Sequence, residues 1–327
     1  MDTNANNFKM LVLGDSILWG QGLHEHQKIH TLVTGYLIKH GLNVQTIFQA
    51  HSGAIIGEPD QPTDKPAIFG EVPVGEPTLF EQLQTALGDK QRDETINLVL
   101  ISGGVNDVDT TRILNLANRQ LAEQIEDAFH RKLKLFLERA YHCFPNAILI
   151  VSGYYQVFSD ESEKSLAQNA LQALGFNVPL LPKAINDIVV DVLGSVITDA
   201  LIERCVYFRD TAHDTIRQVI VELVDMMPEA SERIFFADPK FGPANAIAAP
   251  DAFLFGINAD LSPQDPPEIA AARAEACEHH ADRLTIVERV AGPRASVAHP
   301  NPLGAQQYAQ AILDDLRYAI PALFINP

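Results

Sequence analysis

The sequence predicts an α/β fold: a doubly wound, five-stranded parallel sheet with a helical insertion between strands four and five. Three observations carry this. Five short apolar runs are continuous rather than alternating, as in strands covered on both faces. Helical periodicities separate the runs, which implies right-handed crossovers onto a parallel sheet. About eighty residues without a strand signal part the fourth run from the fifth, far more than one crossover requires.

The elements follow in order. Lys9–Gly14 is the first strand, built on Met10-Leu11-Val12-Leu13, and Gly14-Asp15-Ser16-Ile17 turns the chain out of it. A helix begins just beyond. Gln27–His40 is helical, and Asn43–Gln49 is the second strand. The helix Thr78–Leu87 precedes the third strand, Ile96–Ser102. Leu121, Ile125, Phe129, Leu133, Phe136 and Ala140 recur at helical spacing before the fourth strand, Ala147–Ser152. Glu161–Leu174, Ala184–Arg204 and Thr211–Met227 read as helices of the insertion. Ile185, Ile188, Val189, Val192, Val196 and Ala200 form one apolar stripe there. Packing on the body of the fold is the simpler role for such a stripe, and a lid or acyl-pocket wall is the sharper one. Arg233–Ala237 is the fifth strand. The proline-rich stretch Pro239–Pro267 carries an apolar cluster, Phe253-Leu254-Phe255-Gly256, and Gly304–Tyr318 is the closing helix. The expected organisation is a single domain over 1–327 with the insertion at 156–230.

Composition narrows the function. With 327 residues, 46% hydrophobic and 20% charged, the chain can bury one large α/β core. A net charge of −18 repels phosphate backbones and anionic lipid, which argues against a nucleic-acid partner. Cys143, Cys205 and Cys277 are an odd number of widely spaced thiols, suited neither to a disulfide framework nor to a zinc knuckle. Met1–Lys9 is polar, without the apolar stretch of a signal peptide. The longest apolar candidate, Ala184–Ile202, contains Asp187, Asp191 and Asp199, so stable membrane insertion is not expected. These features lead to the expectation of a soluble, cytoplasmic protein.

Four separated segments carry the chemistry. They are Gly14-Asp15-Ser16-Ile17, Gly53 within His51-Ser52-Gly53-Ala54, Gly104-Val105-Asn106-Asp107, and His299-Pro300-Asn301. Each lies beside the C-terminal end of an expected strand, where open α/β sheets gather their sites, or in the late loop that returns there. In type and order they resemble the SGNH hydrolases, the GDSL esterase/lipase family, over nearly the whole span from Leu13 to Ala309, the insertion excepted. The resemblance implies a flavodoxin-like fold and an ester hydrolase with a small-molecule ester substrate, lipase-like or carboxylesterase-like. Ser16 would be the nucleophile and His299 the base. The backbone N–H groups of Ser16 and Gly53 and the side-chain amide of Asn106 would form the oxyanion hole. Taken singly, Gly53 is an ordinary turn residue and Asn106-Asp107 an ordinary cap pair. Together they supply every part that acyl transfer needs, with no metal and no cofactor.

One position departs from the family pattern. The aspartate usually found three residues before the histidine is Ser296 here. Either a backbone carbonyl near Ser296 orients His299, or an acid from elsewhere does (Asp238, Asp251 or Asp282), or the enzyme is weak. Two other readings of function therefore stand beside the esterase: a carbohydrate O-acetyl esterase of the same fold, and a binding protein that kept the fold without the activity. Gly20-Gln21-Gly22 lacks the third glycine of a dinucleotide loop, and no Gly-x-Ser-x-Gly elbow occurs. His24 with His26, and His279-His280, have the spacing of surface histidines. His51 and Trp19 are each read as packing residues or as walls of the cleft.

Overall fold

The computed structural model describes residues 7–59, 61, 70–173, 183–258 and 260–324; the side chains of 168–169, 171–173, 183–198, 286–287 and 322 lie outside it. Five strands form one parallel sheet: β1 (Asn7–Leu13), β2 (Asn43–Phe48), β3 (Leu98–Ile101), β4 (Ile148–Ser152) and β5 (Ile234–Ala237), in the order β2-β1-β3-β4-β5. This is the doubly wound, flavodoxin-like arrangement expected from the sequence. All residues of β3 and β4 are buried, which explains their unbroken apolar runs. The edge strand β2 exposes Asn43 and Gln45, and its sequence alternates accordingly.

Helices cover both faces. The main ones are α1 (Ser16–Trp19), α2 (Ile29–Lys39), α3 (Leu79–Leu87), α4 (Leu133–Cys143), α5 (Lys183–Met226), α6 (Pro267–His279) and α7 (Pro302–Ala319). On one face α2 packs against α7; on the other α3 packs against α4, and α4 against α5. Local signals start them where the sequence indicates. Thr78 and Glu81 form a reciprocal capping box at the head of α3. Asn301 caps α7, its side chain accepting from the amides of Leu303 and Gly304, with Pro302 at the first position.

Two elements differ from expectation. The helices read at 184–204 and 211–227 are one continuous helix, α5. No glycine or proline interrupts 201–226, and Cys205, Phe208, Ala212, Ile216, Val219 and Leu223 make one buried stripe down it. That half of α5 is the crossover into β5. The stripe expected on Ile185, Ile188, Val189, Val192 and Val196, with its suggested lid role, lies outside the described side chains. Helix α6 had no counterpart in the sequence reading. Its apolar periodicity is weak, although Pro267 in the first turn and a run of alanines favour a helix. All three cysteines are buried free thiols, and no described helix is long and apolar enough to cross a membrane.

The sheet fixes where the site can be. Leu13 stands level with Ile101, and Ile101 with Val151, so the loops after β1, β3 and β4 leave the sheet at one edge. The strand order turns back at β1, with β2 on one side and β3 on the other, and crevices open at such a switch point. The turn out of β1 is clamped by a buried amide on α3. Gln82 Oε1 accepts from the Gly14 N–H at 2.7 Å, and its Nε2 donates to the carbonyls of Gly14 and Pro77, both at 3.0 Å. Gln82→Leu strands the Gly14 N–H in the interior. The expected cost is about 1–3 kcal/mol, read as a lower urea midpoint at unchanged m-value.

Candidate active site

The edge brings the predicted nucleophile and base together. Ser16 is the first residue of α1 and His299 sits in the loop before α7; Ser16 Oγ and His299 Nε2 are 2.7 Å apart. Ser16 is buried and His299 half-buried. Because Ser16 opens a helical turn, its N–H is one of those no intrahelical carbonyl can claim.

Asp15 fixes the nucleophile turn. Its carboxylate is fully buried and accepts three hydrogen bonds: from Ile17 N–H at 3.0 Å, Ser102 Oγ at 2.7 Å and Tyr154 OH at 2.9 Å. Burial pushes this carboxyl upward, and those donors pull against the rise. The turn is thereby tied to the ends of β3 and β4.

Gly53 and Asn106 come from the loops after β2 and β3, and those loops are sewn together. Asn106 Nδ2 donates to the Ala54 carbonyl at 3.0 Å, which places the amide beside the Gly53 turn and leaves its second hydrogen available. Asp107 Oδ2 accepts from the Ile56 N–H at 2.9 Å, and Asp107 Oδ1 pairs with Lys132 at 2.9 Å. Gly53 has a φ of +83°, and a Cβ there would overlap the Val74 amide nitrogen and stand 2.7 Å from the Pro73 carbonyl carbon. Only glycine fits that turn. His51 and Trp19 are packed: His51 Nδ1 meets the Ser52 carbonyl at 2.9 Å, and the Trp19 ring lies between His51 and Phe48 beneath the Lys28 ammonium.

Among the described residues, no acid orients His299. Its Nδ1 makes no hydrogen bond of good geometry, so Asp238, Asp251 and Asp282 are all excluded as partners. Asp238 instead faces Arg217 and His213. The groups that favour a proton on the ring are the carbonyls of Val297 and Ala295. They are presented by a tightly held loop. His299 N–H donates to Ser296 O at 2.9 Å, Ala298 N–H to Phe255 O at 2.9 Å, and Phe255 N–H to His299 O at 2.8 Å. Ala298 adopts φ +66°, a left-handed conformation that costs a non-glycine residue about 1 kcal/mol or more and is held by its surroundings. The Phe253-Leu254-Phe255 cluster thus props the base loop; Leu254 also bridges to Pro300.

The sequence reading missed several supporting residues. Tyr154 and Tyr155, adjacent at the end of β4, reach opposite partners. One hydroxyl donates to Asp15 beside the nucleophile, and the other donates to Ala298 O beside the base at 2.8 Å. Period-two alternation past a known strand end was the signal that could have found them. Arg273 was also missed: its Nη2 donates to Ser296 Oγ at 3.2 Å. A cavity of about 740 Å³ between α3 and α4, lined by Pro77, Phe80, Leu83, Leu135 and His142 among others, includes none of the four site residues.

No protein-family model matches the chain, and no curated protein matches it. Among solved structures it is similar to an extracellular lipase from Streptomyces rimosus, at 14% identity and TM-score 0.48 over 94% of this chain and 99% of that one. Similarity to phospholipase A1 from Streptomyces albidoflavus NA297 is at 13% identity and TM-score 0.48, over 94% and 98%. A family 3 carbohydrate esterase from Clostridium thermocellum is similar at 12% identity and TM-score 0.42, over 95% and 98%. What this site can do follows from its own atoms.

Burial lowers the His299 pKa to about 4, and the nearby Arg273 charge adds to the fall. The ring is therefore neutral at pH 7 and able to accept a proton. In the unfolded chain it takes a proton near pH 6.5, so between 6.5 and about 4 the unfolded state binds more protons and stability drops as pH falls. Urea titrations at pH 7 and pH 5 should show that loss, and His299→Gln should reduce it. An acid at position 296 should not help: Ser296→Asp is expected to place its carboxylate against Arg273, where Ser296 Oγ lies, rather than against His299. Its kcat is expected to be no higher than wild type, with a lower Tm, checked by steady-state kinetics and thermal melts.

Proposed function

We propose that the protein is a serine hydrolase of carboxylic esters. The observation that carries this reading is the 2.7 Å contact between Ser16 Oγ and His299 Nε2, with the imidazole neutral at pH 7. Ser16 attacks the ester carbonyl carbon while His299 Nε2 takes the hydroxyl proton. Negative charge develops on the carbonyl oxygen and is met by the N–H groups of Ser16 and Gly53 and the Nδ2 of Asn106. Collapse expels the alcohol, which receives the proton from His299. Water then repeats the sequence on the acyl-serine and frees the acid.

The imidazolium that forms midway is supported by the carbonyls of Val297 and Ala295. These are dipoles rather than a full negative charge. Orientation of the ring by a rigid loop takes the place of a fixed anion. The Phe253-Leu254-Phe255 cluster of the proline-rich stretch is engaged in holding the base loop. Acyl length is therefore left to experiment, and an acetyl ester is as compatible with the site as a longer chain.

Initial rates on p-nitrophenyl esters of increasing acyl length test the reading. Ser16→Ala is expected to lose essentially all activity while keeping its fold, and Asn106→Ala to lose roughly 10²–10³ in kcat. Turnover that persists in Ser16→Ala would sink the assignment. The acid limb of kcat/KM is expected near pH 4 rather than near 6.5, because activity requires neutral His299.

A further inference from the structure

Arg273, on α6, is among the most buried residues of the molecule, at 1% exposure. A guanidinium in the interior costs several kcal/mol of desolvation unless its donors are met. All of its nitrogens are engaged. Nε donates to Pro293 O at 3.2 Å, Nη1 to Glu71 Oε2 at 3.0 Å, and Nη2 to Asp265 Oδ2 at 2.7 Å and Ser296 Oγ at 3.2 Å. Two of these partners, Pro293 and Ser296, belong to the base loop. Glu71 belongs to the other side of the site: its carboxylate accepts from Gln21 Nε2 at 3.2 Å and Gly22 N–H at 3.3 Å. The Gln21 N–H in turn donates to Ser16 O at 3.1 Å.

These bonds close a circuit. It runs from Ser16 through Gln21, Glu71, Arg273 and Ser296 to His299, whose N–H holds Ser296 O and whose Nε2 returns to Ser16. The two segments also touch directly, since a Cβ on Gly22 would lie 2.7 Å from Ser296 Cβ. We propose that Arg273 is a positioning residue for the hydrolytic pair, a strut whose planar fork sets the separation of the Ser16 and His299 segments. This rests on the ester-hydrolase reading above. Lysine cannot replace the fork, because one ammonium cannot reach Glu71, Asp265, Ser296 and Pro293 in that geometry. Among the described charged side chains, Arg273 is the one acting on the His299 ring, while Glu71 and Asp265 face the guanidinium itself.

The test compares Arg273→Lys, Arg273→Gln and Glu71→Gln with wild type. Rates are expressed per active serine, counted by fluorophosphonate labelling. Arg273→Lys should lose about 10²-fold in kcat at unchanged KM, the scale expected for ångström-level misplacement. Its acid limb should stay in place because the charge is kept. Arg273→Gln should lose as much and move its acid limb upward, since removing a cation favours the protonated ring. Glu71→Gln removes only the nucleophile-side anchor and should lose about tenfold in kcat; it keeps the idea testable if Arg273→Gln does not fold. Values of kcat per labelled site within twofold of wild type in every folded variant would overturn the proposal, leaving Arg273 a stability residue. Failure of wild type to label at all would instead refute the hydrolase reading. The positioning role then falls with that reading.

Discussion

The three hydrogen bonds into the Asp15 carboxylate are the constraint on which the site depends. A carboxyl group this deeply buried is stable only if its oxygens are satisfied, and its donors come from three places: the α1 turn, Ser102 after β3, and Tyr154 after β4. Meeting that requirement draws the ends of three neighbouring strands to one point. Ser16, next in sequence, is then held at the sheet edge with little freedom. From the other side, Gln82 clamps Gly14. Ser16 is thus placed by bonds of the backbone around it, its own carbonyl among them, and its hydroxyl is left to His299.

The base is supported by a different economy. Where an aspartate would both aim the imidazole and stabilise its charge, here backbone carbonyls, a left-handed alanine and two loop pairings do the aiming. Charge stabilisation is weaker, and a cation rather than an anion lies behind Ser296. Burial depresses the basicity of His299, and the Arg273 charge adds to it. On the proposed mechanism, the imidazolium formed midway would be borne by dipoles, and the site would rely on geometry more than on field.

Much of this was legible in the sequence because parallel strands write themselves plainly. All five were found within about two residues at each end; burial on both faces gives the central β3 and β4 their unbroken apolar runs, while the edge strand β2 alternates. Ser16 and His299 were found from local motifs, and the structure sets them in contact. What supports them was not legible, for a physical reason. Arg273 follows Glu71 by 202 residues and precedes Ser296 by 23, and a buried arginine on a helix of weak periodicity looks like a surface one. The carbonyls that serve His299 carry no side-chain signature, so Ser296 read as a loss. Tyr154 and Tyr155 carry no local signal of their role because their partners lie 139 and 143 residues away.

The same distance in sequence has a consequence in time. Ser16 and His299 are 283 residues apart, so during synthesis at 5–20 residues per second the base is made roughly 15–60 s after the nucleophile. The first strand, its turn and much of the sheet can form well before then. Throughout that interval the serine is an ordinary hydroxyl with no base beside it. The Ser16–His299 contact therefore forms only once the segment before α7 emerges and docks between Phe255 and Tyr155, and on the proposed reading a labelling reagent for activated serine would report the moment at which the fold closes.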